Sequence, residues 1–343
     1  MPRSTDPILS IARYLSPMDF LNQVEGFARL DALGASGADF FFLISYDRER
    51  ILAAPLNELP DGLRYRLGSW SGEPPDTDTP FSGEKDLYIE PIPYRSYAQA
   101  LERIKEEIRR GNTYLLNLTF PSLIETTLSL EEIYRAADAP YKLLLPEQFV
   151  CFSPEKFITI QKNRIYTYPM KGTIDATLSN AAEKILADPK EMAEHVMITD
   201  LMRNDLNRIS EKVRVEKFRY LDKIHAGEKE LYQVSSEIVG ELGGNWRSRI
   251  GSILREITPA GSISGTPKKK TLQIIKEVEG YDRGFYTGIF GVCKGEELRS
   301  AVLIRFVEKS GKGLVYKSGG GITIDSDPLS EYRELLEKIY FPF

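Results

Sequence analysis

The sequence predicts an α+β fold, in which helices and strands occupy separate stretches of the chain. Residues 285–324 contain short β-branched and aromatic runs separated by glycine turns, a pattern typical of consecutive strands. Residues 149–173 show a similar order of strand, turn and hairpin. The sequence predicts helices in four blocks, at 96–111, 179–208, 267–280 and 327–341. Because the two kinds of element are segregated, the sequence indicates an α+β arrangement.

Composition bounds the class of protein. The chain has 343 residues, of which 42% are hydrophobic, enough for one large core or two smaller ones. Its net charge of −5 is spread without a long basic stripe, which argues against nucleic acid as a partner. No apolar run reaches the ~20 residues of a membrane span. The two cysteines lie far apart without metal-ligand spacing, so we expect a soluble protein of the reducing cytoplasm.

The first half of the chain supplies strands, a linker and a helix. Residues 38–55 read as two strands joined by a charged turn. Residues 70–86, rich in Pro, Gly, Asp and Thr, form the one credible boundary. We therefore expect a short N-terminal strand region, 1–85, that shares its core with a catalytic domain, 86–343, in one compact unit. The block from 96 ends at Gly111, a typical helix C-cap, and leads into the buried strand "TYLLNLTF".

Two helices each carry a pair of glutamates. Glu191 and Glu194 are three residues apart and share one side of a helix, whose buried face we predict through Ala193, Met197 and Leu201. Only two histidines occur in the whole chain, so acid–base chemistry should fall to carboxylates or lysines.

The second pair lies on the last helix, which begins with Asp327 as N-cap and Pro328 at N1. Here Glu331 and Glu334 share a face with Lys338. Carboxylate oxygens without histidine or cysteine are the ligands that Mg²⁺ prefers. The alternative is that both pairs are solvated faces stabilised by i,i+3 and i,i+4 contacts.

Two glycine loops offer backbone N–H groups. The stretch "TPAGSISGTPKKK" precedes a helix that we expect to run from about Pro267 to Gly280, and such a loop can hold phosphate or carboxylate. It does not match the P-loop pattern, and a plain turn into a helix remains an alternative. The second loop, "SGGGIT" at 318–323, would let a backbone approach a ligand closely.

Two basic residues stand in unusual places. Lys171, in "YTYPMKGTID", follows a proline turn at the end of a strand, where it is either an exposed turn lysine or an inward-facing nucleophile. Arg305 follows an apolar run in "AVLIRFVE". It is either a carboxylate clamp or a residue that faces solvent.

Taken together, the blocks resemble the chorismate-utilising enzymes, the family of anthranilate, aminodeoxychorismate, isochorismate and salicylate synthases. The resemblance rests on "GNTYLLNLT", "FSPEKF", "PMKGT", "AEHVMITDLMRNDLNRI", "TPAGSISGTPK", "FYTGIFG", "SGGGITIDSDP" and "EYRELLEK", which occur in the family's order. It implies the fold of anthranilate synthase component I, with two large, mostly antiparallel sheets packed as a sandwich and helices outside. It covers nearly three quarters of the chain.

The resemblance also implies ligands and a substrate. It assigns Mg²⁺ to Glu194 and Glu334, with Glu191 and Glu331 in or near the coordination shell, and chorismate as the substrate that the ion anchors. It further implies a set of substrate-binding residues: Arg305, Lys338, Gly172, Thr173, Tyr286, Gly288, Gly319, Gly320 and Gly321. A dianionic substrate needs such positive charge, since glutamates alone would repel it.

Two positions indicate which reaction to expect. Lys171 resembles the lysine of aminodeoxychorismate synthases, which in that mechanism attacks C2 of chorismate while Glu155 protonates the leaving C4 hydroxyl. Ammonia then adds at C4 to give 4-amino-4-deoxychorismate, so Lys171 must be neutral and Glu155 protonated when they act. Leu115 replaces the lysine base of members that add water. Anthranilate synthase component I and a non-catalytic chorismate-binding subunit are the alternatives, and a Schiff-base lysine enzyme is a fourth reading.

Other expectations concern the ammonia source and departures from the family. The chain shows no Cys-His-Glu glutaminase unit, so the resemblance implies a separate glutamine amidotransferase subunit and a place in folate (p-aminobenzoate) biosynthesis. We also expect neither a fused lyase nor an intact tryptophan pocket. Gln233 stands where the family usually has histidine, and Leu115 where many relatives have glutamine.

Overall fold

The computed structural model describes residues 20–73, 86–226 and 229–343. The N-terminal stretch and most of the linker predicted at 70–86 lie outside these residues. The helices of the described part are α1 Gln23–Ala35, α2 Tyr94–Arg109, α3 Leu130–Ala136, α4 Ala181–Ala187, α5 Pro189–Asn207, α6 Ile250–Ile257, α7 Lys268–Glu279 and α8 Pro328–Glu337.

The strands form two antiparallel sheets. The first sheet contains β1 Phe40–Ile44, β2 Ile51–Pro55, β9 Lys156–Gln161, β10 Arg164–Thr167, β11 Met170–Asp175, β12 Glu211–Ala226, β13 Lys229–Glu241, β15 Ile289–Lys294 and β16 Glu297–Val302. The second contains β3 Arg64–Leu67, β4 Trp70–Ser71, β5 Tyr88–Glu90, β6 Leu115–Glu125, β7 Tyr141–Leu145, β8 Phe149–Ser153, β14 Gly265–Thr266, β17 Phe306–Ser310 and β18 Gly313–Ile322.

Strand order explains how distant segments meet. The first sheet runs β11-β13-β10-β9-β16-β15-β1-β2, with β12 paired to β13. The second runs β14-β6-β18-β17-β8-β7-β3-β4, with β5 paired to β6. Strands from residues 40–71 therefore pair in both sheets, β1 with β15 and β3 with β7.

The sheets pack face to face around an apolar layer. On β1, Phe41 and Leu43 point into the layer between the sheets, whereas Phe40, Phe42 and Ile44 point to the other face, where helices cover them. Because both faces are buried, the strand is a continuous apolar run rather than an alternating one. Helices α1, α5 and α6 cover the first sheet, and α2, α7 and α8 cover β6 and β18 of the second. The predicted α+β sandwich with outer helices is confirmed.

Helix ends follow the sequence signals. Gly111 and Gly280 adopt φ of 74° and 67° just after α2 and α7, as left-handed terminal glycines do. The side chain of Asp327 accepts a hydrogen bond from the Ser330 N–H at the start of α8. The strand–turn–hairpin pattern of residues 149–173 and the consecutive strands after 285 are confirmed.

The predicted buried face of α5 is confirmed at Leu201 but wrong at its other two positions. Ala193 is exposed and Met197 only half-buried, while the buried stripe runs through His195, Ile198 and Met202. The cause is His195, a polar residue that is buried because its Nε2 lies 2.7 Å from Ser236 Oγ on β13. Burial and the charge of Arg219 together lower the pKa of this imidazole to about 4, so it is neutral at pH 7.

Candidate active site

The site forms where β11 of the first sheet faces β18 and β6 of the second. A Cβ placed on Gly321 would lie 2.9 Å from Lys171 Nζ and 3.3 Å from Leu115 Cδ1. The Lys171 side chain is 23% exposed, and its amine therefore points inward against the β18 backbone. The sequence allowed an exposed turn lysine or an inward-facing one at position 171, and the structure shows the inward-facing lysine.

Helix α5 brings its carboxylates to the same strand. Gly172 adopts φ of 78°, and a Cβ there would lie 2.6 Å from Glu191 Oε2, so glycine permits this close approach. Lys171 Nζ lies 3.7 Å from Glu194 Oε2, and Lys190 Nζ lies 3.9 Å from Glu194 Oε1. Burial raises the pKa of Glu191, and the neighbouring Glu194 charge raises it further.

Helix α8 supplies the second pair of carboxylates. A Cβ on Gly320 would lie 3.5 Å from Glu334 Oε1 and 3.8 Å from Glu331 Oε2. Glu331 is buried and accepts a hydrogen bond from Ser326. Burial raises the pKa of Glu331. Burial also opposes ionisation of Glu334, but the Lys338 ammonium, 2.6 Å from its Oε1, outweighs this and holds the pKa of Glu334 below its usual range.

The four glutamates suit a hard cation by their chemistry. They offer only carboxylate oxygens, and neither histidine nor cysteine competes for the ion. In the described residues, however, no three His, Cys, Asp or Glu side chains already converge as a ligand cluster. The structure gives two carboxylate pairs, one on α5 and one on α8, and Glu194 raises the pKa of Glu331 across the cleft. Mg²⁺ at this place remains a prediction.

A further carboxyl group lies near enough to Lys171 to feel its charge. Glu155 stands just before β9 and is half-buried, and its Oε1 accepts a hydrogen bond of 2.6 Å from Ser262 Oγ. Burial raises the pKa of Glu155 despite that bond and the nearby charge of Lys171, so the carboxyl keeps its proton to higher pH than an exposed glutamate. Ser262 is not among the site residues that the sequence predicts, because the motif of this loop points to its glycines. Its serine hydroxyls were the available signal.

Two further cations face the cleft. Arg305 has φ of 55° and is half-buried, and its Nε lies 3.4 Å from the Tyr340 hydroxyl. Among the described residues no acidic side chain forms an ion pair with Arg305, and an anionic ligand would balance the charge of this half-buried guanidinium. Lys338 Nζ also donates to the Gly319 carbonyl at 2.9 Å. Burial lowers the pKa of Lys338, Glu334 opposes this, and the charge of Arg305 lowers it further.

The other predicted residues are placed as follows. Thr173 is exposed on β11, directly across from Gln233 on β13. Tyr286 is buried in the layer between the sheets, with its ring 5.9 Å from that of Phe306. A Cβ on Gly288 would lie 2.2 Å from the Ile44 carbonyl oxygen, so backbone packing alone explains this glycine.

The loop before α7 is also explained by packing. Gly265 has φ of 129° and pairs with Leu116, and a Cβ there would lie 2.0 Å from the Leu115 carbonyl oxygen. Lys268 at the start of α7 is paired with Asp205 at 2.9 Å. The predicted anion site at this helix N-terminus gains no support from these contacts, whereas Ser262 of the same loop does reach the active site.

Cys151 and Cys293 are both buried and free. Within residues 20–73, 86–226 and 229–343, every helix is too short or too polar to cross a bilayer.

Comparison with known proteins gives a consistent result. The sequence profile of chorismate binding enzymes matches residues 72–343. An uncharacterised PabA-like protein of Haemophilus influenzae is 47% identical over 310 residues, covering 90% of this chain and 94% of that protein. Aminodeoxychorismate synthase component 1 of Bacillus subtilis is 32% identical over 268 residues, covering 74% of this chain and 56% of that protein. This chain thus spans little more than half the length of the Bacillus subtilis relative.

The fold is shared with a solved structure. Anthranilate synthase component I of Streptococcus pneumoniae superposes with a TM-score of 0.63 at 26% identity, covering 74% of this chain and 58% of that one.

Proposed function

Because the chain belongs to the family of chorismate binding enzymes, we propose that it acts as an aminodeoxychorismate synthase, which converts chorismate and ammonia to 4-amino-4-deoxychorismate. One observation carries the proposal. The Lys171 amine is held inside the cleft against Gly321, beside Leu115, which cannot act as a base toward water. A nucleophile is thus present, while the position that would need a base in a water-adding enzyme holds leucine.

The residues divide the reaction between them. Lys171 Nζ bonds to C2 of the ring, both ring double bonds shift by one position, and the C4–O bond breaks. Glu155 gives its proton to the departing hydroxyl, which leaves as water. Ammonia then bonds to C4, both double bonds shift back and the C2–N bond breaks, which frees Lys171 as the neutral amine. The raised pKa of Glu155 suits a general acid that must be protonated before the step.

Binding of the substrate falls to the cations and the glycine wall. Arg305 has no acidic partner in the described part of the chain and would bind one carboxylate of chorismate through its paired N–H groups. Glu191, Glu194, Glu331 and Glu334 would hold Mg²⁺, which when bound neutralises these glutamates and polarises the ring carboxylate. Lys338 and the backbone of Gly319–Gly321 would complete the contact with the substrate.

The proposal also covers the source of the ammonia and the use of the product in the cell. Ammonia would come from glutamine through a separate glutamine amidotransferase subunit, and the product would feed p-aminobenzoate and folate synthesis in the cytoplasm. The Bacillus subtilis relative's name supports the reaction, and the free state of both cysteines supports a reducing compartment.

The test is to incubate the purified protein with chorismate, Mg²⁺ and an ammonium salt, and to identify the product by mass. We expect 4-amino-4-deoxychorismate. Anthranilate as the main product would overturn the proposal in favour of an anthranilate synthase, and isochorismate would overturn the argument from Leu115.

A matched pair of lysine variants tests the nucleophile. Lys171→Ala should abolish amination, whereas Lys190→Ala should retain it, because Lys190 contacts the same Glu194 carboxylate but is 57% exposed. During turnover, a mass increase on the Lys171 peptide should appear only in proteins that keep this lysine. Undiminished product formation by Lys171→Ala would show that the covalent step is wrong.

A further inference from the structure

A buried ion pair lies behind the active site. Glu279 is the last residue of α7, and Arg283 follows it by four residues. Both side chains are 1% exposed. Arg283 Nε donates to Glu279 Oε2 at 2.8 Å and Nη2 to Oε1 at 2.6 Å, and the guanidinium stacks 4.5 Å from the ring centre of Tyr46. Two charges taken out of water are tolerated only when further hydrogen bonds satisfy their remaining atoms.

Arg283 directs its remaining N–H groups at segments that carry the site. Nη1 donates to the Ile263 carbonyl at 3.0 Å, and Ile263 is the neighbour of Ser262. Nη2 donates to the Asn117 carbonyl at 2.6 Å, and Asn117 pairs with Gly321. One guanidinium therefore ties the Ser262 loop to the strand that backs the glycine wall.

Glu279 binds the same strand two residues further on. Its Oε1 accepts hydrogen bonds from the Thr119 N–H at 2.8 Å and from the Thr119 hydroxyl at 2.9 Å. Thr119 pairs with Gly319, and the Gly319 carbonyl accepts the hydrogen bond of Lys338. Glu279 thus fixes the part of β6 that supports Lys338, and Arg283 fixes the part that supports Lys171.

We infer that the Glu279–Arg283 pair is a positioning device for the active site, which sets the Ser262 hydroxyl on Glu155 and the β18 glycines against Lys171 and Lys338. Neither residue touches the cleft, so the pair acts through Ser262 and the strand. The inference rests on the proposed function, because it takes Glu155 as the acid and Lys171 as the nucleophile.

Arg283→Lys tests the inference, because one ammonium group cannot reach all of these acceptors. We expect kcat for chorismate consumption to fall by roughly 10- to 100-fold, as small displacements at reacting atoms do, with KM nearly unchanged. The Ser262 hydrogen bond favours the ionised form of Glu155. Loosening it should raise the pKa of Glu155 and move the high-pH limb of the rate profile to higher pH.

Ser262→Ala should move the same limb in the same direction, and adding Arg283→Lys to Ser262→Ala should move it no further. Thr119→Val is a milder change in the network and should lower kcat a few-fold. Arg247→Lys is the control for loss of a buried guanidinium, since Arg247 also donates to a backbone carbonyl, that of Ala38, in the packing of α1. It should lower the melting temperature without moving kcat or the limb.

The inference is overturned if Arg283→Lys and Thr119→Val behave like Arg247→Lys, with wild-type kcat and limb. If Arg283→Lys does not fold, the kcat and the high-pH limb of Thr119→Val alone decide whether the inference stands. The assay measures consumption of chorismate and does not depend on the identity of the product. A different product would therefore overturn the proposed function but leave the comparison of the variants valid. The profile of melting temperature against pH reports the pKa of Glu155 in the absence of substrate. Arg283→Lys should shift that profile to higher pH, but not in a Glu155→Gln background, and an unchanged profile would also count against the inference.

Discussion

The three glycines of β18 should respond very differently to the same substitution. A Cβ on Gly321 would lie 2.9 Å from Lys171 Nζ, whereas ordinary contacts begin at 3.4 Å. The backbone at Gly321 is an extended strand that alanine tolerates, so the amine must retreat by roughly 0.5–1 Å. We expect Gly321→Ala to leave stability near that of the wild type, because the end of a flexible side chain gives way, and to lower kcat by about 10- to 100-fold.

Its neighbours provide the controls. A Cβ on Gly320 meets nothing closer than 3.5 Å, so Gly320→Ala should keep stability and lower kcat less than Gly321→Ala does. A Cβ on Gly319 would lie 2.4 Å from the Leu118 carbonyl oxygen, which is backbone, and Gly319→Ala should cost about 1–3 kcal/mol of unfolding free energy. The measurements are thermal melting and steady-state chorismate consumption. Equal kcat for Gly321→Ala and Gly320→Ala would refute the argument that this backbone positions the lysine.

Three further substitutions test the acid, the substrate-binding arginine and the packing of the loop before α7 in turn. Glu155→Gln should inactivate the enzyme. The Glu155→Gln variant should also melt at a higher temperature than the wild type at pH 8, but not near pH 4. The pKa of the Glu155 carboxyl is raised in the folded state, so the native protein binds more protons than the unfolded chain. This carboxyl therefore destabilises the wild type only as the pH rises above the pKa of the unfolded state. A melting difference that shrinks toward pH 8 would contradict this. Arg305→Gln should raise KM for chorismate with little change in melting temperature, and an unchanged KM would remove the guanidinium from the binding site. Gly265→Ala should lose at least ~2 kcal/mol in a denaturant titration, because its Cβ would meet the Leu115 carbonyl at a positive φ.

The sequence was informative where a local rule decides the structure. Strands such as 40–44 and helix ends such as Gly111 and Gly280 follow from composition and left-handed glycine conformations, which need no distant partner. The same holds for the glutamate pair of α8, which shares a face by helical spacing alone.

Features decided by distant partners could not be read in the same way. Ser262 meets Glu155 across 107 residues, and the burial of His195 depends on Ser236, 41 residues away. The Glu279–Arg283 pair has the i,i+4 spacing of an exposed helix pair, yet it is fully buried because β6 and the Ser262 loop provide its remaining hydrogen bonds. Spacing predicts which residues are neighbours and leaves open whether they meet solvent or another strand.

The contact that Lys171 and Leu115 share with Gly321 limits how this cleft can change its chemistry. A lysine at position 115 would bring a second ammonium to the same stretch of backbone, and two such charges about 4 Å apart repel by about 1 kcal/mol in water and about 4 kcal/mol near a protein surface. Such repulsion would lower the pKa of both lysines, so a lysine at position 115 would alter the proposed nucleophile as well as add a base. In the proposed scheme, a descendant of this chain that gained a base toward water and kept the present charge of the pocket would have to exchange both positions, since either replacement alone leaves two amines or none.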